Sequence, residues 1–182
     1  MAPPRALRPN IVLAGFMASG KTTVGGLLSG LTGMPLEDTD EAVERRAGAT
    51  VAEVFASRGE GAFRRLEAEE IERAAAPHGA ILAVGGGAVM DPANVEALRA
   101  GGTIYLLQVG AAEAMRRAGG GGERPLLAGD EPAVDDLYRS REAAYLDAAD
   151  VVVPTEGRSP EQVAEHINVD FARRHAGEPH ED

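Results

Sequence analysis

Cysteine is absent from the 182-residue chain, which excludes a disulfide framework and any thiolate metal site. Aromatic residues make up only 4% of the sequence, so the interior must rest on Ala, Val and Leu, with abundant Gly. No apolar run approaches the roughly 18 residues of a membrane span. The opening stretch "MAPPRALRPN" has no apolar run after its charges, and a signal peptide is not expected there. Positive charge is scarce. The net charge of -11 argues against nucleic acid as a main partner, because the phosphate backbone wants a basic face. An anionic ligand must therefore meet a local group of arginines inside an acidic shell. Lysine is nearly missing as well: of 18 basic residues, Lys21 is the one lysine and the rest are arginine.

What is present describes one soluble domain: 44% hydrophobic and 26% charged residues in a chain long enough for a real core. Five short apolar segments, residues 10–16, 35–39, 80–86, 103–109 and 150–155, read as buried parallel strands. Helical stretches separate them. One starts at Lys21 and stops at Gly33, a natural C-cap. Another, "DEAVERRAG", follows the second segment. Residues 50–76 read as two helices broken near Gly59–Gly61. The next begins with Asp91 as N-cap and Pro92 at the first position, and places Gly101 past its end. "AAEAMRRAG" and "VDDLYRSREAAYLDAA" complete the set. Strands alternating with helices predict a three-layer α/β fold, a five-stranded parallel sheet with helices on both faces. Residues 1–9 are expected to be disordered, 10–170 to form the single domain, and 171–182 to be a flexible tail.

The stretch "GFMASGKTT" fits G-x-x-x-x-G-K-[ST] at Gly15, Gly20, Lys21 and Thr22, between an apolar strand and a helix. The glycines let backbone N–H groups wrap an anion, and the helix adds its positive N-terminus. Thr22 can place its hydroxyl on Mg²⁺. The lone lysine falls where a compact ammonium suits the space between phosphates and a planar guanidinium does not. The motif indicates a nucleoside triphosphate and says nothing of the acceptor.

A metal-binding acid is expected on a later strand. The third segment ends "AVGGGAV" without one, so "EDTD" at the second is the nearest source. Asp38 and Asp40, two apart, would point the same way in extended chain. One could hold Mg²⁺ through water and the other accept the proton of an attacking hydroxyl. The alternative is that Asp40 only caps the helix that follows. Gly85, Gly86 and Gly87 follow a strand at its carboxyl end, where open α/β sheets bind ligands, and leave a small molecule free to approach the backbone. A tight turn before Asp91 is the plainer explanation. Arg64 lies three residues before Glu67, close enough to be held by it on a helix. Arg116, Arg117, Arg124 and Arg141 are further candidates, but sequence physics does not choose among 17 arginines, most of which belong on a solvated face.

Taken together, the blocks "GFMASGKTTVG", "LEDTDEAVERRAG", "TVAEVFASRGEGAFRRLE", "AVGGGAV", "RPLLAG" and "REAAYLDAAD" resemble the shikimate kinases from about residue 10 to 165. The resemblance implies the P-loop fold of nucleoside monophosphate kinases, with a substrate-binding region at about 38–67 and a mobile lid at about 116–130. It implies ATP and shikimate as substrates, Mg²⁺ as cofactor, and a cytoplasmic monomer. Ala18, Ser19, Gly20, Lys21, Thr22 and Thr23 would hold the ATP phosphates, with Thr22 and Asp38 at the metal. Asp40 would bind the shikimate hydroxyls and act as base. Arg64 and Arg141 would clamp the shikimate carboxylate, Gly85, Gly86 and Gly87 would meet the substrate through backbone, and Phe55 and Phe63 would form apolar walls. Arg124 would reach the phosphates from the closed lid and Arg117 would pack near the adenine. The lid approach "AGGGGE" departs from the pattern in being almost pure glycine. Two rivals stand beside this: a same-fold kinase for another polyol acid such as gluconate, and a non-catalytic ATP-binding switch, which would not need the acid at Asp40.

Overall fold

The computed structural model describes residues 8–76, 78–119 and 131–176. The order is β1 (Asn10–Ala14), α1 (Lys21–Thr32), β2 (Leu36–Asp38), α2 (Thr39–Ala47), α3 (Val51–Arg58), α4 (Glu60–Ala75), β3 (Ile81–Ala83), a 3₁₀ turn (Ala88–Met90), α5 (Pro92–Gly101), β4 (Gly102–Gln108), α6 (Ala111–Ala118), α7 (Glu131–Ala148), β5 (Val151–Pro154) and α8 (Pro160–His175). The five strands form one parallel sheet in the order β2-β3-β1-β4-β5. All five expected strands are present; β4 begins one residue early, and the others are shorter than their apolar segments.

The side-chain alternation of a strand explains the layers. Val12 and Ala14 of β1, with Leu82, Ile104 and Leu106, face a core closed by α4, α5 and α7. Ile11 and Leu13, with Ile81, Tyr105 and Leu107, face the opposite core under α1 and α8. A third, small core of Val43, Val54 and Phe63 binds α2, α3 and α4 to one another. β1 lies between β3 and β4: the chain first crosses from β1 to β2 on one side and later from β3 over β1 to β4 on the other. That is the switch point at which such sheets open a crevice at the carboxyl ends of their strands.

Two details correct the sequence reading. Gly101 is the last residue of α5, not a cap beyond it; Gly102 takes the C-cap position. The glycine is needed for space: a Cβ at Gly101 would stand 1.6 Å from the Ala75 carbonyl oxygen. Gly101→Ala is therefore expected to cost about 3 kcal/mol or more through forced backbone displacement. A thermal melt should show Tm lower by roughly 6–12 °C. The second detail is α8, a helix absent from the sequence reading. It carries a complete capping box, with the Ser159 side chain on the Gln162 N–H and the Gln162 side chain returning to the Ser159 N–H. It runs to His175, past the boundary expected at residue 170, and is tied to the sheet by the Tyr105 hydroxyl donating to Asp170 at 2.9 Å.

Candidate active site

The loop from β1 into α1 is shaped by residues with positive φ. Gly15 has φ 149°, and a Cβ there would lie 2.7 Å from the Leu107 carbonyl oxygen, so only glycine lets β4 pass this close. Ala18 holds φ 56° without being glycine, the kind of local strain that concentrates at ligand sites. Gly20, at φ 98°, is the N-cap of α1 and supplies no side-chain cap, whereas α2, α3, α5 and α8 each have one. The first-turn N–H groups of α1 thus meet no side-chain oxygen at the cap, and no acidic residue stands in that turn. An anion is what such an end accepts. Lys21 folds across the mouth of the loop, its Nζ donating to the carbonyls of Gly15 at 2.9 Å and Phe16 at 3.1 Å and to Ser19 Oγ at 3.4 Å. Thr22 and Thr23 are exposed beside it.

Asp38 and Asp40 meet this loop from β2 and α2, but not as two side chains of one strand. The chain turns helical at Thr39, and Asp38 is the N-cap, accepting from the N–H groups of Asp40 at 3.0 Å and Glu41 at 3.4 Å. Capping thus falls to Asp38 rather than Asp40. The other Asp38 oxygen, Oδ2, accepts from the Thr22 hydroxyl at 3.4 Å. Asp40 is left to point inward.

The loop after β3 is where the remaining candidates converge. The N–H of Gly85 donates to Thr39 Oγ1 at 3.1 Å, fixing the loop to the start of α2. A Cβ on Gly85 would stand 2.6 Å from both Asp40 Oδ1 and Glu67 Oε1. A Cβ on Gly87 would stand 2.5 Å from the Arg64 guanidinium nitrogens. The carbonyl of Gly86 accepts from the Tyr145 hydroxyl and, at 3.5 Å, from Arg141 Nη1. Gly85 and Gly87 are therefore required by more than a turn, each lying under a polar side chain from another element, whereas a Cβ on Gly86 would meet nothing closer than 3.6 Å.

Glu67 is the residue whose full position the sequence did not disclose. Oε2 accepts from Arg64 Nη1 at 2.7 Å, as the spacing suggested. Oε1 is buried and, among the described residues, has no hydrogen-bond partner. Burial raises the Glu67 carboxyl, against the pull of Arg64 and Arg141. Burial also dominates at Asp40. With the neighbouring charges of Asp38 and Glu67 it pushes that carboxyl up to about 6, opposed by Lys21.

The remaining sequence candidates are placed as follows. Phe55 stacks on Phe63 with ring centroids 4.6 Å apart, and the Arg64 guanidinium lies over the Phe63 ring at 5.3 Å. Phe63 is itself buried in the small core, so Phe55 presents the more accessible face. Arg117 is anchored away from the triple glycine. Its Nε donates to Glu113 at 2.8 Å, and its guanidinium reaches Thr155 Oγ1 at 3.1 Å and the Thr155 carbonyl at 3.2 Å. A cavity of about 590 Å³ opens on this side, between α6 and α7. Arg124 lies outside the described residues.

A parallel sheet with a phosphate loop at its switch point, and with acids and arginines gathered opposite that loop, defines a P-loop kinase of a small acceptor. The family model described as shikimate kinase matches residues 17–171. A shikimate kinase of Moorella thermoacetica is 46% identical over 159 residues, covering 87% of this chain and 91% of that protein. The solved shikimate kinase of Acinetobacter baumannii, in complex with shikimate, superposes with a TM-score of 0.86 at 31% identity over 92% of this chain and 94% of that one. A gluconokinase of Sinorhizobium meliloti shares the fold alone, at TM-score 0.56 and 15% identity, with 93% of this chain and 95% of that one covered. The chain belongs to the shikimate kinase family, enzymes that phosphorylate shikimate with ATP.

Proposed function

We propose that the convergence on Gly85, Gly86 and Gly87 is the acceptor site, and that it presents the 3-hydroxyl of shikimate to the γ-phosphoryl of ATP held at Ala18–Thr23. The observation that carries this is the arrangement of charge along the loop: acids over Gly85, guanidiniums over Gly86 and Gly87. Shikimate has hydroxyls at one end of its ring and a carboxylate at the other. Asp40 would accept hydrogen bonds from the hydroxyls and take the proton of the attacking one. Arg64 and Arg141 would grip the carboxylate, for which a guanidinium fork is well shaped. Phe55 and Phe63 would line the ring's apolar side.

Lys21 would leave the carbonyls it now satisfies and lie along the β- and γ-phosphates, and the α1 N-terminus would receive their charge. The Thr22 hydroxyl and the Asp38 carboxylate, already 3.4 Å apart, are hard oxygen donors of the kind Mg²⁺ takes. Among the described residues no cluster of three or more His, Cys, Asp or Glu could hold a metal alone. That fits an ion bound through one carboxylate, one hydroxyl and substrate phosphates. When bound, Mg²⁺ would neutralise charge between the phosphates. Arg117 would sit by the adenine. Residues of about 116–130 would form the lid, bringing Arg124 to the phosphates and excluding water from the transfer. No helix among the described residues is long and apolar enough to cross a membrane; the family resemblance supports the reading of a cytoplasmic monomer.

Steady-state kinetics of Arg64→Ala test the clamp. The shikimate KM is expected to rise about 10²-fold, as for loss of a charge-assisted pair, with the ATP KM little changed. Gly87→Ala, which pushes a methyl into the same guanidinium, should move the shikimate KM in the same direction by a smaller factor. An unchanged shikimate KM in both variants would remove Arg64 from the acceptor site.

A further inference from the structure

The geometry assigns to Tyr145 the role of a positioning residue for the acceptor: its hydroxyl fixes the peptide plane between Gly86 and Gly87, so that the Gly87 N–H stays aimed at the substrate. The inference rests on the reading of Gly85–Gly87 as the acceptor contact.

The loop's hydrogen bonds divide unevenly. The Gly85 carbonyl accepts from Ala88 N–H at 3.0 Å and the Gly87 carbonyl from Met90 N–H at 3.1 Å. Among the described residues the Gly86 carbonyl has no such backbone partner and is held by side chains of α7. Among the same residues, the N–H groups of Gly86 and Gly87 have no acceptor. Two donors on an otherwise satisfied loop suit a ligand. In a trans peptide the carbonyl and the following N–H point oppositely. Holding the Gly86 carbonyl on the α7 side therefore turns the Gly87 N–H the other way. Gly87 itself lies beneath the Arg64 guanidinium, so this donor belongs to the part of the site assigned to the carboxylate.

Tyr145 is a firm holder. It is 3% exposed and packed in the core shared by α4, α5 and α7, so its ring has little freedom. Burial raises its phenol above the ordinary range, against the pull of Arg141, and it remains a donor at any working pH. Arg141 is a poor substitute, since its contact to the same carbonyl is 3.5 Å long. It is also the guanidinium wanted by the substrate carboxylate. Without the tyrosine hydroxyl, the Gly86 carbonyl would compete with the substrate for Arg141. Tyr145 thus acts twice, by orienting the loop and by releasing Arg141 to the ligand. A tyrosine kept only for packing would need neither effect.

Tyr145→Phe keeps the ring and removes the hydroxyl. Its shikimate KM is expected to rise about tenfold, with kcat and the ATP KM within about twofold of wild type and Tm within a few degrees. An unchanged shikimate KM overturns the assignment, as does a fall in kcat with no change in KM. Wild-type protein labelled with 3-fluorotyrosine gives a second reading that needs no Tyr145 variant. Three tyrosines give three ¹⁹F signals, with Tyr105 and Tyr138 assigned from their phenylalanine variants. Shikimate alone should shift the Tyr145 signal; a signal indifferent to shikimate overturns the role. Wild-type enzyme whose ATP turnover ignores shikimate would instead defeat the acceptor reading itself.

Discussion

Lys21→Ala is expected to lower kcat by at least about 10²–10³-fold, the range seen when one preorganised group facing a developing charge is removed. The variant should stay folded. Lys21 is half-buried at the loop mouth, where its ammonium donates to carbonyls and a hydroxyl of the loop itself. A thermal melt within a few degrees of wild type is the check. Lys21→Arg should not restore turnover, because the guanidinium is planar and too broad for the space left between Gly15, Phe16 and Ser19. That substitution is informative here because each of the other 17 Lys/Arg positions in this chain is arginine. The single lysine also permits a direct test of occupancy. An amine-directed reagent should modify Lys21 in the free enzyme, and ATP should block it. Turnover of Lys21→Ala near the wild-type rate would remove this side chain from the chemistry.

Asp40→Asn is the second large effect, and its signs differ for activity and stability. General-base catalysis contributes about 10²–10⁴-fold, and kcat should fall by that order. The carboxyl is raised from 3.8 to about 6 by burial and by the charges of Asp38 and Glu67. Below about pH 6 the folded enzyme carries the protonated acid, which cannot accept a proton. Wild-type kcat/KM for shikimate should therefore fall about tenfold per pH unit below that point, and the variant should lack this limb. For stability, the folded state holds the proton more tightly than the unfolded chain does. Between pH 3.8 and about 6 the folded form carries the extra proton, so stability declines as pH rises through that window and stays lower above it. The amide introduced by Asp40→Asn carries no charge to bury. At pH 7 the variant should gain on the order of 1–2 kcal/mol while losing its activity. A variant both inactive and less stable at pH 7 would contradict the burial argument.

The donor half of the site is plain in the sequence and the acceptor half is scattered through it, for physical reasons. The phosphate loop is one contiguous motif between a strand and a helix, and its backbone does the binding, so spacing alone identifies it. The acids after β2 are harder. Asp38, Thr39 and Asp40 can all cap a helix, and the choice depends on where β2 stops. Extended chain through Asp40 would put both acids on one side, whereas the turn at Thr39 makes Asp38 both the cap and the partner of Thr22. Arg64 and Arg141 come from α4 and α7, far apart in sequence, and only packing against the glycine loop distinguishes them from the other arginines. The spacing of Glu67 reveals its bond to Arg64 but not its buried second oxygen, which exists because α4 lies against Gly85. Tyr145 carries no signal until α7 is seen to reach Gly86. α8 is legible in principle, since "SPEQ" is a capping box with proline at the first helical position. Gly101 misleads because a glycine at a helix end usually means a left-handed cap, whereas here it marks close passage of another backbone.

The central claim is that one site joins Mg-ATP to shikimate. It is tested by ADP release from Mg-ATP with the purified full-length protein, alone and with shikimate, gluconate or quinate. Strong stimulation by shikimate, little by the others, and loss of that stimulation in Asp40→Asn is the predicted result. Equal or greater stimulation by gluconate or quinate, or ATP turnover indifferent to all three acids, would contradict it.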